Sequence, residues 1–255
     1  MSRVLISFGP FTIYWYSVTM LLAVTTGIYL ALLESKKVGS KEYISNLITP
    51  LIIFGIIGAR LYYVIFNFDL YKNNLLDIFK IWEGGIAIYG AIIGGLVAII
   101  YHAHKNNESI IKTTDIIAPG LLLAQAIGRW GNFFNQEAHG GVVTYEYFKK
   151  MHIPKFIING MYINGYYYEP TFLYESIWCI IGFIILIFVR KIIKRKQSIM
   201  TYSYFIWYGL GRIFIEGLRT DSLYLGRIRV SQLVSLILII IGIFGIISNI
   251  IKKNK

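Results

Sequence analysis

Gly128-Arg129-Trp130-Gly131-Asn132-Phe133-Phe134-Asn135-Gln136-Glu137 closes an otherwise apolar stretch of this 255-residue chain. It sets a guanidinium, three side-chain amides and a carboxylate at or beside membrane depth, where each must find a partner or a ligand. The surrounding chain shows that the solvent is lipid. With 56% hydrophobic and 15% charged residues and a mean hydropathy of +0.60, it is too apolar for a soluble domain of this length. The net charge of +12 raises nucleic acid as a partner, but the Lys and Arg residues fall in short clusters between apolar runs, not on one basic face. Membrane topology accounts for them, and no nucleic-acid partner is expected.

The reading is an all-α polytopic membrane protein with seven transmembrane helices, over Phe11–Leu33, Ser45–Asn67, Ile81–Tyr101, Thr113–Phe133, Thr171–Arg190, Met200–Leu218 and Val230–Ile251. Each run is near the ~20 residues that cross a bilayer, and an open backbone in lipid would leave its polar groups unsatisfied. The first run lacks a short apolar core with a small-residue cleavage site and is read as a retained helix. With the C-terminus cytoplasmic, thirteen Lys and Arg lie on the inner segments, among them Lys36, Lys37, Lys194, Arg195, Lys196 and Lys255, against nine outside. The positive-inside rule then puts the N-terminus outside. The hydrophilic stretch of about 135–168, with Gly140, Gly141, Pro154 and a Tyr-rich end, is too long for a tight turn. It reads as a small extracytoplasmic head with short strands around Tyr162–Tyr168. The whole chain is expected to be a single catalytic domain.

Arg60, Arg129 and Arg212 lie inside the second, fourth and sixth spans, which run in one direction, so each falls in the outer half of the membrane. One such arginine is equally well a snorkelling or structurally paired residue; three with amides beside them point to a site. Gln125, Arg129, Asn132 and Gln136 form one helical stripe if the fourth helix continues that far, and Tyr208, Arg212, Glu216 and Arg219 form another on the sixth. Such stripes face a cavity or neighbouring helices; the alternative is hydrogen bonding that only holds the bundle together. Gly90 and Gly94, like Ala91 and Gly95, make a small-xxx-small pattern suited to close packing. His102 and His104, beside Lys105, read as surface residues, and His152 as solvated loop. His139, two residues after Glu137, is a candidate base. Cys179 sits in an apolar run with no base or cation beside it in sequence to form a thiolate.

The run 128–137 closely resembles the signature of the bacterial prolipoprotein diacylglyceryl transferases, Gly-Arg-x-Gly-Asn-Phe-x-Asn-x-Glu. Tyr14-Trp15-Tyr16, Gly58-Ala59-Arg60, Trp82-Glu83-Gly84-Gly85, Asp115 to Pro119, Pro170 to Glu175 and Tyr208 to Glu216 resemble further family segments in order. The resemblance implies a seven-helix enzyme of the bacterial cytoplasmic membrane, N-terminus outside and C-terminus cytoplasmic. Its implied activity transfers the diacylglyceryl group of phosphatidylglycerol to the lipobox cysteine of a preprolipoprotein, forming a thioether and releasing glycerol phosphate. No cofactor or metal is implied, and the chain is read as a monomer whose partners are phosphatidylglycerol, lipobox peptides and membrane lipid.

On that reading Arg129 and Arg212 hold the lipid phosphate and the departing glycerol phosphate, because a guanidinium fork binds two phosphate oxygens and stays charged at low dielectric. Asn132, Asn135 and Gln136 hydrogen-bond glycerol hydroxyls or peptide, and Tyr16, Arg60, Tyr89 and Tyr208 line the pocket. Glu137, Glu175 and Glu216 orient the arginines or act as bases; Arg129, Arg212, Glu137 and Asn132 form the catalytic set. The sequence departs from the family where many members carry His-Gly-Gly on the third helix: here Tyr89-Gly90-Ala91 stands. Neutral tyrosine is a poor acceptor for a thiol proton, so His139 and Glu137 remain as candidate bases. The competing class is a small-anion transporter with buried arginines, for which inverted repeats are the usual sign; no repeat is visible.

Overall fold

A computed structural model describes residues 2–9, 11–193 and 198–253; Lys194, Arg195, Lys196 and Lys255, used in the charge count, lie outside them. The chain divides into two compact units, one joining the N-terminal residues through Leu30 to the chain from Thr114 onward, the other Ala31–Thr113. The long helices are α1 (Trp15–Lys37), α2 (Lys41–Phe66), α3 (Ile88–Lys105), α4 (Ile110–Asn135), α7 (Thr171–Ile192), α8 (Ile199–Leu218) and α9 (Val230–Lys253), with α5 (Tyr145–Lys150) and α6 (Lys155–Gly160) as short helices. Among the described residues, α1, α2, α3, α4, α7 and α9 are long and apolar enough to cross a membrane. α8 has 20 residues, but Tyr202, Tyr204, Tyr208, Arg212 and Glu216 leave it less apolar.

Two span boundaries are corrected. The first helix begins at Trp15, not Phe11, because β2 (Phe11–Tyr14) pairs antiparallel with β1 (Val4–Phe8), Val4 opposite Tyr14. Both runs carry the β-branched and aromatic residues that favour a pleated ribbon. The third helix begins at Ile88, not Ile81: Gly84 and Gly85 have φ of +88° and +76°, which no right-handed helix accommodates. Ile81–Glu83 is therefore a separate 3-10 turn. The chain is also not purely α. Besides β1–β2 it holds a three-stranded sheet in the order β3 (Val142–Val143), β5 (Tyr166–Tyr168), β4 (Tyr162–Ile163), and a hairpin of β6 (Tyr224–Leu225) with β7 (Ile228–Arg229).

In the unit containing α4, α7 and α8, the buried core comprises Ala118, Leu122, Ala126, Cys179, Leu186, Met200 and Tyr204. Asp115 caps the start of α8: Oδ1 accepts from the Thr201 amide at 2.7 Å and its hydroxyl at 2.6 Å, and Oδ2 from the Ser198 amide, satisfying donors a helix start leaves open. The 135–168 stretch folds as β3, α5, α6, β4 and β5. Its hydrophobic centre is Phe133, Phe148, Ile157, Ile158, Met161 and Phe172, so the end of α4 and the start of α7 supply part of its core. The β4–β5 turn has positive φ at both Asn164 and Gly165, the geometry that matches strand twist in a tight hairpin.

In the other unit α2 and α3 pack through glycine: a Cβ on Gly58 would stand 3.0 Å from Gly94 Cα. The expected small-residue contact is thus present. His102 is corrected from surface to interior. It is buried, its Nε2 donates to the Tyr43 carbonyl at 3.0 Å, and its ring lies 4.7 Å from that of Tyr43. His104 and His152 are exposed.

Candidate functional site

The site grows from the last turn of α4. Pairing begins at Glu137, whose Oε1 accepts from Asn132 Nδ2 at 3.1 Å and from Asn135 Nδ2 at 3.3 Å. Asn132 Oδ1 in turn accepts from Arg129 Nη1 at 3.4 Å. Arg129 Nη2 pairs with Glu175 Oε1 of α7 at 2.6 Å, and Glu175 Oε2 with Arg212 Nη1 of α8 at 3.0 Å. Arg212 Nη2 ends the series on Glu216 Oε2 at 2.5 Å. Seven side chains from α4 and the residues just after it, α7 and α8, six in line and Asn135 as a branch, thus form an unbroken polar chain in which the two guanidiniums are kept apart by one carboxylate.

Burial decides what the chain can do. The side chains of Glu175 and Glu216 are 5% and 4% exposed and that of Arg212 is 11% exposed, whereas Arg129 is 23% exposed. Buried charges persist only when paired and hydrogen-bonded, and the two arginines with Glu175 and Glu216 sum to zero. Of these four charged side chains Arg129 is the most accessible. Its planar donor fork is oriented by Glu175 and Asn132, with Arg212 on the far side of Glu175.

Neighbouring residues fix this geometry. Ser176 Oγ donates to the Ala126 carbonyl at 3.0 Å, joining α7 to α4 beside Glu175. Gly131 admits α1: a Cβ there would stand 2.9 Å from both Thr19 Oγ1 and the Tyr16 ring, which brings Tyr16 against the signature run. Tyr208 stacks on Tyr204 at 5.7 Å, and the Tyr204 hydroxyl accepts from Gln125 Nε2 at 3.0 Å. At the end of α8, Arg229 donates to the carbonyls of Glu216 and of Arg219, the latter at 3.3 Å, and to the Tyr224 hydroxyl at 3.0 Å.

The fourth-helix stripe stops one residue short. α4 ends at Asn135, and Gln136, with φ +54°, turns away so that its Nε2 donates to the Gly160 carbonyl at 3.0 Å. Arg219 likewise leaves the α8 stripe and forms a two-bond fork with Asp221, both bonds 3.0 Å. Burial alone would raise the Asp221 carboxyl, but this fork and its charge hold it below the usual carboxylate range. His139 lies at the start of the head with its ring 4.1 Å from that of Tyr168. Its Nδ1 is 3.0 Å from the Gly140 carbonyl, and its own carbonyl accepts from the Thr220 amide at 3.4 Å. A carbonyl only accepts, so Nδ1 carries the proton and Nε2 is the basic nitrogen of the neutral ring.

Arg60 and Tyr89 belong to the Ala31–Thr113 unit. Tyr89 is exposed with its ring 6.2 Å from that of Tyr62; Arg60 is buried against main-chain carbonyls. Glu175, read from sequence with Glu137 and Glu216 as a partner of the arginines, is the carboxylate that bridges both of them. A carboxylate one turn inside an apolar span was as strong a sign as the arginines. Arg229 gave no comparable sign, because its carbonyl partners leave no trace in side-chain pattern.

The chain is a multi-pass membrane protein by the length and apolarity of its helices, with two arginines and two carboxylates paired between α4, α7 and α8. A family model described as prolipoprotein diacylglyceryl transferase matches residues 3–248. A protein of Listeria innocua serovar 6a is 50% identical over 252 residues, 98% of this chain and 91% of its own. One of Ligilactobacillus salivarius is 49% identical over 250 residues, 95% and 91% respectively, and one of Staphylococcus carnosus 49% over 241, 94% and 87%. All three carry the name phosphatidylglycerol–prolipoprotein diacylglyceryl transferase. The chain belongs to the prolipoprotein diacylglyceryl transferase family.

Proposed function

We propose that the protein transfers the diacylglyceryl group of phosphatidylglycerol to the lipobox cysteine of preprolipoproteins, the first step of bacterial lipoprotein maturation. The thiol loses its proton to a base, and the thiolate sulfur attacks the glycerol carbon that carries the phosphate ester. A C–S bond forms as the C–O bond breaks, and the electron pair leaves with glycerol phosphate. The observation that carries this reading is the Arg129–Glu175–Arg212 bridge at the signature run: a partly exposed guanidinium fork, held from behind, suits a phosphate whose charge grows as it departs.

In this reading Arg129 grips the phosphate, while Arg212 and Glu216 supply the charge behind it. Asn132 and Asn135 hold Glu137 toward glycerol hydroxyls or peptide, with Tyr16 and Tyr208 lining the pocket. His139, through Nε2, takes the thiol proton. The enzyme crosses the bacterial cytoplasmic membrane seven times, α8 included, with the N-terminus and the 135–168 head outside.

The test is lipid transfer to a lipobox peptide in vesicles containing phosphatidylglycerol. Arg129→Ala and Arg212→Ala are expected to insert but lose transfer by at least about a hundredfold, the loss of an electrostatic donor of ~3 kcal/mol. Undiminished thioether formation in either variant would overturn the assignment. Flux of a glycerol phosphate without thioether formation would instead favour a transporter.

A further inference from the structure

Between α2 and α3 the chain makes three 3-10 turns, Phe68–Leu70, Leu75–Phe79 and Ile81–Glu83. Turns this short have no stability of their own. The second turn and the residues on either side of the third are held by Arg60, whose side chain comes from α2 and is buried. Nε donates to the Ile78 carbonyl at 2.7 Å, Nη1 to those of Gly84 and Gly85 at 2.6 and 2.8 Å, and Nη2 to those of Asp77 and Lys80 at 2.7 and 3.4 Å. A guanidinium has five N–H donors, and here five carbonyls accept them. The Tyr71 ring lies against the same group at 5.1 Å. Gly85 completes the cage: its φ is +76°, and a Cβ there would stand 2.5 Å from Nη1 and 3.0 Å from the Tyr71 hydroxyl. Arg60 therefore has no donor left for a phosphate, and the substrate-binding role expected for it gives way to a positioning one.

The segment so held turns its apolar side chains outward. Leu76, Phe79 and Trp82 are 72%, 73% and 76% exposed, with Leu75, Ile81 and Ile86 exposed beside them. A rigid scaffold that presents such a row needs a cover, since soluble surfaces rarely carry contiguous apolar patches of that kind. The row continues the exposed apolar faces of the adjoining helix ends, Ile65 and Phe66 on α2 and Ile88 on α3, both helices of crossing length. Its lysines are paired locally, Lys72 with Asp69 at 3.0 Å and Lys80 with Asp77 at 2.7 Å. A tryptophan and a lysine within an apolar row, with a second lysine just before it, are the chemistry of the headgroup boundary.

We propose that the Leu75–Ile86 segment is a rigid contact surface for bilayer phospholipid, and that Arg60 sets its shape by saturating its carbonyls. Unlike a flexible interfacial loop, it would meet lipid without an ordering cost. The surface stands or falls independently of the transferase reading, because its test involves no turnover.

Single nitroxide labels at Leu76→Cys and Phe79→Cys are read by spin resonance in the full chain, in nanodiscs of phosphatidylglycerol and phosphatidylethanolamine; Cys179 is buried and supplies no competing site. Greater accessibility to oxygen than to a water-soluble nickel chelate is expected at both positions, with a restricted line shape. Greater nickel accessibility overturns the surface. So does dipolar broadening between two labels, which would make the cover a second copy of the chain, or immobilisation seen only when lipobox peptide is added. For Arg60, Arg60→Lys keeps the charge but offers three donors to five carbonyls. Gly85→Ala keeps the guanidinium and fills its slot. Both are expected to give a mobile line shape at Phe79→Cys, and Gly85→Ala alone carries the test if Arg60→Lys does not accumulate. Unchanged line shapes overturn the role of Arg60.

Discussion

Trp178 and Trp207 donate to each other's main chain: each indole Nε1 lies 2.9 Å from the other residue's carbonyl oxygen, and the rings stack with centroids 4.4 Å apart. This reciprocal pair fixes the register of α7 against α8. Glu175 lies three residues before Trp178, about one turn, and Arg212 five residues after Trp207. Trp178→Phe removes one donor and leaves the stacked partner half-supported, so a loss of ~1–3 kcal/mol is expected. It reads as a lower unfolding midpoint in detergent. The double variant with Trp207→Phe should lose less than the sum of the singles, because the two bonds form one unit.

Glu175→Gln leaves two guanidiniums facing each other across a neutral amide. Removing one partner of a buried ion pair costs roughly 3–5 kcal/mol, so this variant should be less stable than any other single change in the polar chain. Adding Arg212→Gln should recover part of the stability but no lipid transfer. A double variant as unstable as the sum of both singles would show that the charges are not coupled.

Glu137 depends on two amides. Asn132→Ala removes its link to Arg129 as well as one hydrogen bond, whereas Asn135→Ala removes a hydrogen bond alone. Asn132→Ala is therefore expected to lower transfer at least tenfold more than Asn135→Ala, with both variants folded by thermal melting. Equal losses would mean that Asn132 acts only through Glu137.

If His139 takes the thiol proton, its removal matters least where the thiol ionises unaided. With a free thiol near pKa ~8.5, the deficit of His139→Gln in transfer rate should shrink steadily between pH 6.5 and 9. A deficit independent of pH would remove His139 from proton transfer and return the question to Glu137.

The Arg219–Asp221 fork predicts an acid response. A carboxyl held below its unfolded value adds stability that is fully present above ~3.9, the ordinary aspartate value, and is lost as pH falls through the lowered folded value. Pepsin cleavage within residues 218–224 should therefore rise steeply only below the ordinary carboxylate range. Asp221→Asn should already be cleaved at pH 4.5.

Much of this was legible beforehand because lipid makes the rules severe. Long apolar runs had to be helices, and Arg129, Arg212, Asn132 and Glu137 had to find one another or a ligand. Gly90 and Gly94 announced a close contact that is present against Gly58. What escaped was set by main-chain geometry. The β1–β2 ribbon hid inside an apolar run whose hydrophobicity suits strand and helix alike. The break before Ile88 depended on two glycines adopting positive φ. Arg60 looked like Arg129 in sequence, and only its five carbonyl partners distinguish a residue that shapes the main chain from one paired with a carboxylate and an amide.

α4 is ended without glycine, by Gln136 at φ +54° and Ala138 at φ +56°. Each such residue stores about 1–2 kcal/mol of steric strain in the left-handed region. Glycine at both would relax that strain, but it would forfeit the Gln136 bond to the Gly160 carbonyl and widen the range of paths the chain can take after Asn135. The molecule keeps a stiffer, less comfortable bend, and its reward is directional: Glu137 is turned back onto Asn132 and Asn135 with little freedom to point elsewhere.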